Sequence, residues 1–443
     1  MGCGFTSSGR PAPKAMMGQL RSVAPVLLVF ATLFLTKAAT GDPTAPESPP
    51  SEITEVPRSL TLAETEALRA GNNFGLKLLR RLYAERADER ANVFISPLSV
   101  SMSLGMLMNG AGGETFKAMG DALGLNGLMM AEANEAYKDL TELLVHLDPN
   151  VEFRVANNSW LEEGFRIRRD YRSRLEEAFD ARIENVRFEQ PDMAGVVNGW
   201  VGETTEGRIT DLVTPEEFAG LVALLVNTVY FKGKWTDPFD PAQTVTVEFR
   251  RADGSTVSVP LMGQALDARV GGGEEYGEGF VAVDLPYGGD LFSMVVVVPT
   301  GDATLAELVE EMDGARWQQV VDALRGEART EVRLPRFELT HEKVLNNVLK
   351  AMGMEVAFDA SKADFGWMVG NAGLSVRPHI GWVKQKSFLK VDEEGTETAA
   401  ATGTAFATSE NPVLQADRPF LFAIRERLYG TILFVGTVSD PTG

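Results

Sequence analysis

Apolar residues from Glu64 to Glu85 recur with helical spacing: Phe74, Leu78 and Leu82 share one face, with Leu79 and Tyr83 beside them. Ser96-Pro97 reads as a helix start, a serine N-cap followed by proline in the first turn. Leu98–Asn109 continues that helix, and small residues at Ser101, Ser103 and Gly105 among large ones predict close packing in the interior. Leu221–Phe231 is instead apolar and β-branched, as expected of a strand buried on both faces. Leu291–Val298 is a second such run, stopped by Pro299. Phe420–Ile424 and Thr431–Val438 flank a turn at Leu428-Tyr429-Gly430 and predict a buried hairpin. Helical patterns come mainly first and strand patterns mainly later, so the fold class is α+β rather than a strict βαβ alternation.

The pattern changes before Leu62. Val23–Leu35 is a short apolar run, preceded by Arg10, Lys14 and Arg21 and followed by Ala38, Ala39 and Thr40. This is the layout of a secretory signal, and the run is shorter than the ~20 residues of a spanning helix. An uncleaved N-terminal membrane anchor is the second reading. Gly41–Pro57, rich in Pro, Ser, Thr and Glu, reads as a disordered tether. The expected organisation is a signal or anchor over 1–40, a linker over 41–61 and one folded domain over 62–441. The expected location is secreted or extracellular, with N-terminal anchoring as the alternative.

Charge and chemistry narrow the function. The chain has 62 acidic and 42 basic residues, a formal net charge of −20. That argues against nucleic acid and against a heparin-type polyanion, both of which need a basic footprint. The single cysteine, Cys3, excludes an internal disulfide and a cysteine zinc site. His146, His341 and His379 have no metal-ligand spacing. No motif for a nucleophile, a metal or a phosphate cradle is present, so no cofactor and no enzymatic activity are expected.

The most unusual stretch is Thr398–Ser409, TAAATGTAFATS, with no charge, no proline and only Phe406 as a large residue. Loops generally use polar turn chemistry. In an extended chain, Thr396, Thr398, Ala400, Thr402, Thr404 and Phe406 share one uncharged face, and Glu397 lies on the other. By itself the segment reads equally as a strand held in reserve or as a flexible Ala/Thr linker.

Over about Leu62–Pro441 the chain resembles the serpin family. The resemblance rests on ordered motifs: Asn92-Val93-Phe94-Ile95-Ser96-Pro97-Leu98-Ser99, Asn109-Gly110-Ala111-Gly112-Gly113-Glu114-Thr115, and Leu225-Val226-Asn227-Thr228-Val229-Tyr230-Phe231-Lys232-Gly233-Lys234-Trp235. Asp284-Leu285-Pro286-Tyr287, Leu334-Pro335-Arg336-Phe337, Met352-Gly353-Met354 and Ala363-Asp364-Phe365 follow. Val391-Asp392-Glu393-Glu394-Gly395-Thr396-Glu397 and Ala416-Asp417-Arg418-Pro419-Phe420-Leu421-Phe422 complete the set. The resemblance implies three β-sheets, about nine helices and an exposed reactive loop. It implies an inhibitor, not an enzyme: a serine peptidase cleaves the loop, is held as a covalent acyl-enzyme, and the freed loop inserts into the central sheet. A monomer is expected.

Carried over residue by residue, the resemblance makes Glu393, Glu394, Gly395, Thr396, Glu397, Thr398, Ala399, Ala400 and Ala401 the hinge. It pairs Glu393 with Arg336 and sets Trp235 where the loop first enters. It places Ser96, Ser99 and Asn198 where the central strands part, facing Gln385, where the family often has histidine. Thr398 departs from the family's usual alanine; threonine is small and favours strands. The reactive bond falls at Thr408–Ser409 or Ser409–Glu410. No Lys or Arg lies between Lys390 and Arg418, so a trypsin-like target is not expected and an elastase-like or subtilisin-like one is. The alternative is a non-inhibitory serpin, a binding or chaperone-like protein of the same fold.

Overall fold

Thr61 starts the first helix. Its hydroxyl accepts from the Glu64 backbone N–H while the Glu64 carboxylate accepts from the Thr61 N–H, a reciprocal cap that satisfies two otherwise orphaned donors. The helix therefore begins at Leu62, two residues before the periodic run predicts. The structure is a computed structural model that describes residues 57–86, 88–272, 279–369, 378–396 and 413–442.

The helices are α1 (Leu62–Ala84), α2 (Pro97–Met108), α3 (Gly113–Leu123), α4 (Met130–Val145), α5 (Arg169–Phe179), α6 (Met193–Thr204), α7 (Leu305–Glu311) and α8 (Gly314–Ala323). Two short pieces, α9 (Asn346–Leu349) and α10 (Glu355–Phe358), are joined through a π turn at Lys350–Met354. With that broken segment counted once, nine helices lie among the described residues.

The strands are β1 (Val93–Ile95), β2 (Val151–Glu162), β3 (Ala181–Val186), β4 (Ala223–Lys234), β5 (Val245–Arg250), β6 (Thr256–Gly272), β7 (Phe280–Tyr287) and β8 (Phe292–Pro299). They continue as β9 (Arg325–Pro335), β10 (Phe337–Val344), β11 (Lys384–Val391), β12 (Gly395–Thr396), β13 (Val413–Gln415), β14 (Phe420–Glu426) and β15 (Ile432–Val438). They form three sheets among the described residues. The largest runs β1-β15-β14-β8-β7-β6-β9-β13, with β5 on β6. The others are β12-β4-β2-β3 and the pair β10-β11.

β8, β14 and β15 are buried at every position, which is what their unbroken apolar runs require. The helix predicted from Ser96 is α2; the Ser96 hydroxyl caps it by accepting from the Ser99 N–H. β4 differs from expectation. Only its even-numbered face is fully buried from Leu224 to Tyr230, while Ala223, Leu225, Asn227 and Val229 are half-buried. These half-buried positions line the cavity described next.

Candidate functional site

Beyond Gly233, β4 pairs with β2 on one edge and with nothing described on the other. Among the described residues β11 pairs with β10 alone. Their facing edges border a cavity of about 430 Å³, onto which Ser99, Leu225, Asn227, Gln385, Ser387 and Thr396 open. Unpaired strand edges present rows of backbone N–H and C=O groups and act as templates for an added strand.

At one end of this gap the chain has begun to fill it. After β11, Asp392–Gly395 turns the backbone, and Gly395 and Thr396 pair antiparallel with Lys234 and Gly233. Gly395 has φ of 145°, and a Cβ there would meet the Gly233 carbonyl oxygen at 2.2 Å. Only glycine fits that backbone at that spacing.

Trp235 fastens the turn. Its indole N–H donates to the Asp392 carbonyl at 2.9 Å, and its backbone N–H donates to the Glu394 carbonyl at 2.8 Å. The Phe239 N–H donates to the Glu393 carbonyl at 2.8 Å. Trp235 also stacks on Tyr287 with ring centroids 4.3 Å apart, and the buried Tyr287 hydroxyl lies 2.9 Å from the Thr396 hydroxyl.

The Glu393 carboxylate is buried and accepts from Arg336 through Nε at 2.7 Å and Nη2 at 2.5 Å, and from the Thr244 hydroxyl. Burial opposes its ionisation. The hydrogen bonds from Arg336 and Thr244 outweigh that and hold its pKa below the ordinary glutamate value. For Glu394 burial wins and pushes its pKa up, with Asp392 adding to the rise and Lys234 opposing it.

Midway along the gap, the Gln385 side-chain amide donates to the Ser96 carbonyl at 3.1 Å, and the Ser96 hydroxyl donates to the Leu433 carbonyl at 2.9 Å. The Ser99 hydroxyl reaches the Asn227 carbonyl on β4 at 3.5 Å. One end of α2 therefore touches both facing strands. Asn198 is a correction. Both ends of its amide are bonded to the Val213 backbone, so it fixes α6 to the segment that follows and does not join the Ser96–Gln385 set.

That segment, residues 205–222, also lines the gap through Ile209 and Leu212. It is tied to β11 by ion pairs that sequence reasoning missed. Lys384 pairs with Glu217 at 2.5 Å, Lys386 pairs with Asp211 at 2.8 Å, and both reach Glu342 on β10. The two lysine side chains are only 7% and 10% exposed, which makes this a clasp and not a solvated surface pair. Alternating lysines at 384, 386 and 390 were the only signal in the sequence. Thr244 gave none.

The predicted residues Glu397, Thr398, Ala399, Ala400 and Ala401, and the predicted bond at Thr408, Ser409 and Glu410, lie outside the described residues. So does the run Val23–Leu35. Among the described residues no group of three or more His, Cys, Asp or Glu is arranged to hold a metal.

The sequence profile of the family described as Serpin (serine protease inhibitor) matches residues 69–441. The chain belongs to the serpin family. Human neuroserpin is 33% identical over 87% of this chain and 94% of its own length. Mouse glia-derived nexin is 31% identical over 84% and 92%. Among solved serpins, native protease nexin-1 with heparin superimposes with a TM-score of 0.74 at 28% identity, covering 85% of this chain and 100% of the other. A serpin of similar sequence has thus been solved with heparin, and net charge alone does not support excluding that kind of partner here. No helix among the described residues is long and apolar enough to cross a membrane, and anchoring has no support from them.

Proposed function

We propose that this serpin inhibits serine peptidases as a suicide substrate, using the gap between β4 and β11 to receive its own cleaved loop. The observation that carries this reading is the two facing unpaired edges with β12 seated at their mouth. In the β12 pairing, partner numbers sum to 629: 395 with 234 and 396 with 233. Continued at that register, Thr398 falls opposite Phe231, Ala400 opposite Val229, Thr402 opposite Asn227, Thr404 opposite Leu225 and Phe406 opposite Ala223. Apart from the buried Phe231, these are the half-buried positions of β4, where insertion needs small or uncharged groups. The single large residue meets the alanine. Glu397 falls opposite Lys232 on the other face, an oppositely charged cross-strand pair.

In the first chemical step the peptidase serine oxygen bonds to the carbonyl carbon of Thr408 or Ser409. The peptide bond breaks, and the new amine leaves on Ser409 or Glu410. Insertion of the freed strand then carries the acylated peptidase away before water can complete hydrolysis. The absence of Lys and Arg between Lys390 and Arg418 favours a small-pocket target, elastase-like or subtilisin-like, over a trypsin-like one. The N-terminal signal layout fits a secreted protein, and a monomer is part of the same proposal.

Incubation with a panel of serine peptidases, followed by denaturing gels and mass spectrometry of the released peptide, tests both parts. The expected product with an elastase-like or subtilisin-like enzyme is a denaturation-resistant adduct, with release starting at Ser409 or Glu410. Cleavage without any adduct across the panel would overturn the inhibitory reading. An adduct with trypsin alone would overturn the target assignment.

A further inference from the structure

We infer that the open cleft between α1 and the α7–α8 turn binds a small organic phosphate monoester. The cleft has a volume of about 860 Å³, and Lys77, Arg80, Arg81 and Arg86 line it on the α1 side, with Glu310 and Asp313 on the other. Residues 77, 80 and 81 stand at i, i+3 and i+4 and so share one face of the helix. Several exposed cations of this acidic chain are matched: Arg154 with Glu152 and Glu206, Arg333 with Glu331, and Lys117 with Asp121. Lys77, Arg80 and Arg81 have no ion pair among the described residues. An unneutralised basic cluster inside a cleft is therefore a local exception to the charge of the whole.

The chemistry of the lining favours a phosphate. Arg86 is preorganised: its guanidinium lies 3.4 Å from the Tyr83 ring centroid and its Nη1 donates to the Tyr83 carbonyl at 2.5 Å. Its Nε is buried with no partner among the described residues. Gly314 and Ala315, the first residues of α8, open on the same cleft, so the positive end of that helix faces it. Asp313 is partly committed, accepting from the Arg316 N–H at 2.9 Å as the α8 cap. Four cations against two carboxylates leave a lining charge of +2. That matches the charge of about −1.5 to −2 on a phosphate monoester, and exceeds that of a singly charged sulfate ester. The volume leaves room for an organic body beside the phosphate. The site is remote from the β4–β11 gap in composition, sharing none of its lining residues, so the inference does not rest on the inhibitory reading.

Isothermal titration of the full chain with glucose 6-phosphate and glucose 6-sulfate at low salt tests it. The two probes differ only in the charged group. The expected result is saturable one-to-one binding of the phosphate, weaker binding of the sulfate, and roughly tenfold loss of phosphate affinity in R80A/R81A. Lys77→Gln is the second variant, expected to weaken binding in the same direction. R182A/R187A removes two exposed arginines elsewhere and is expected to leave affinity unchanged. No saturable binding, equal weakening by R182A/R187A, or sulfate binding as tight as phosphate would each overturn the assignment.

Discussion

At the scale of single residues, the mouth of the gap is held by contacts that leave little freedom. A side chain at 395 would collide with the Gly233 carbonyl while its backbone stayed at a φ that L-residues avoid. Gly395→Ala is expected to cost about 2 kcal/mol or more, read as a lower melting temperature of the uncleaved protein. An unchanged melt would show that the turn relaxes without penalty. Arg336→Met leaves the buried Glu393 carboxylate with Thr244 alone. Because Arg336 is 44% exposed, the expected loss is tempered to about 1–3 kcal/mol. The sign of its pH dependence follows from the depressed Glu393 pKa. The stabilisation is present above the ordinary glutamate value and is lost as pH falls through the depressed one. Melting of the wild type should therefore fall more steeply on acidification than that of Arg336→Met. Glu64 behaves likewise: its partner Arg58 lowers its pKa from 4.5 to about 2, against the opposing effect of burial. Glu64→Gln should remove roughly 1–2 kcal/mol at neutral pH and little near pH 2. The Glu393–Arg336 pairing could be foreseen from the resemblance. Thr244 could not, because a lone threonine in a polar stretch has no distinguishing pattern.

At the scale of elements, apolar periodicity located α1, α2, β8, β14 and β15 to within two residues at most of their ends. It misjudged β4. A run such as LVALLVNTVYF fits a strand packed between two others, and sequence alone does not say that one neighbour is missing. That gap arises between strands far apart in the chain, and no local pattern encodes it. Asn198 failed for a related reason: the direction of its amide is set by the Val213 backbone, a contact that no local pattern encodes. The clasp of Lys384 and Lys386 to Asp211 and Glu217 belongs to this scale as well. Its task is to hold the 205–222 segment against β11, across the space a new strand would occupy. K384M/K386M is expected to speed amide hydrogen exchange in residues 205–222 while β14 and β15 stay protected. Unchanged exchange there would mean that apolar contacts of Ile209, Leu212 and Phe218 hold the segment by themselves.

For the molecule as a whole, the proposed insertion would give an arrangement better paired than the one the described residues show. Carried on in the β12 register after insertion, residues 397–406 would reach the far end of β4. Each hydrogen bond they made there would contribute about 0.5–1.5 kcal/mol net, so the full strand is a stabilisation on the order of 10 kcal/mol. In the proposed mechanism the tethered loop withholds that energy, and cutting the loop would release it. Calorimetry measures that release. The full chain is scanned before and after limited proteolysis at a single bond within 408–410, with both fragments retained. The cut protein should melt far above the intact one, well beyond the few degrees that about 1 kcal/mol produces. A cut protein that melts at or below the temperature of the intact chain would contradict it.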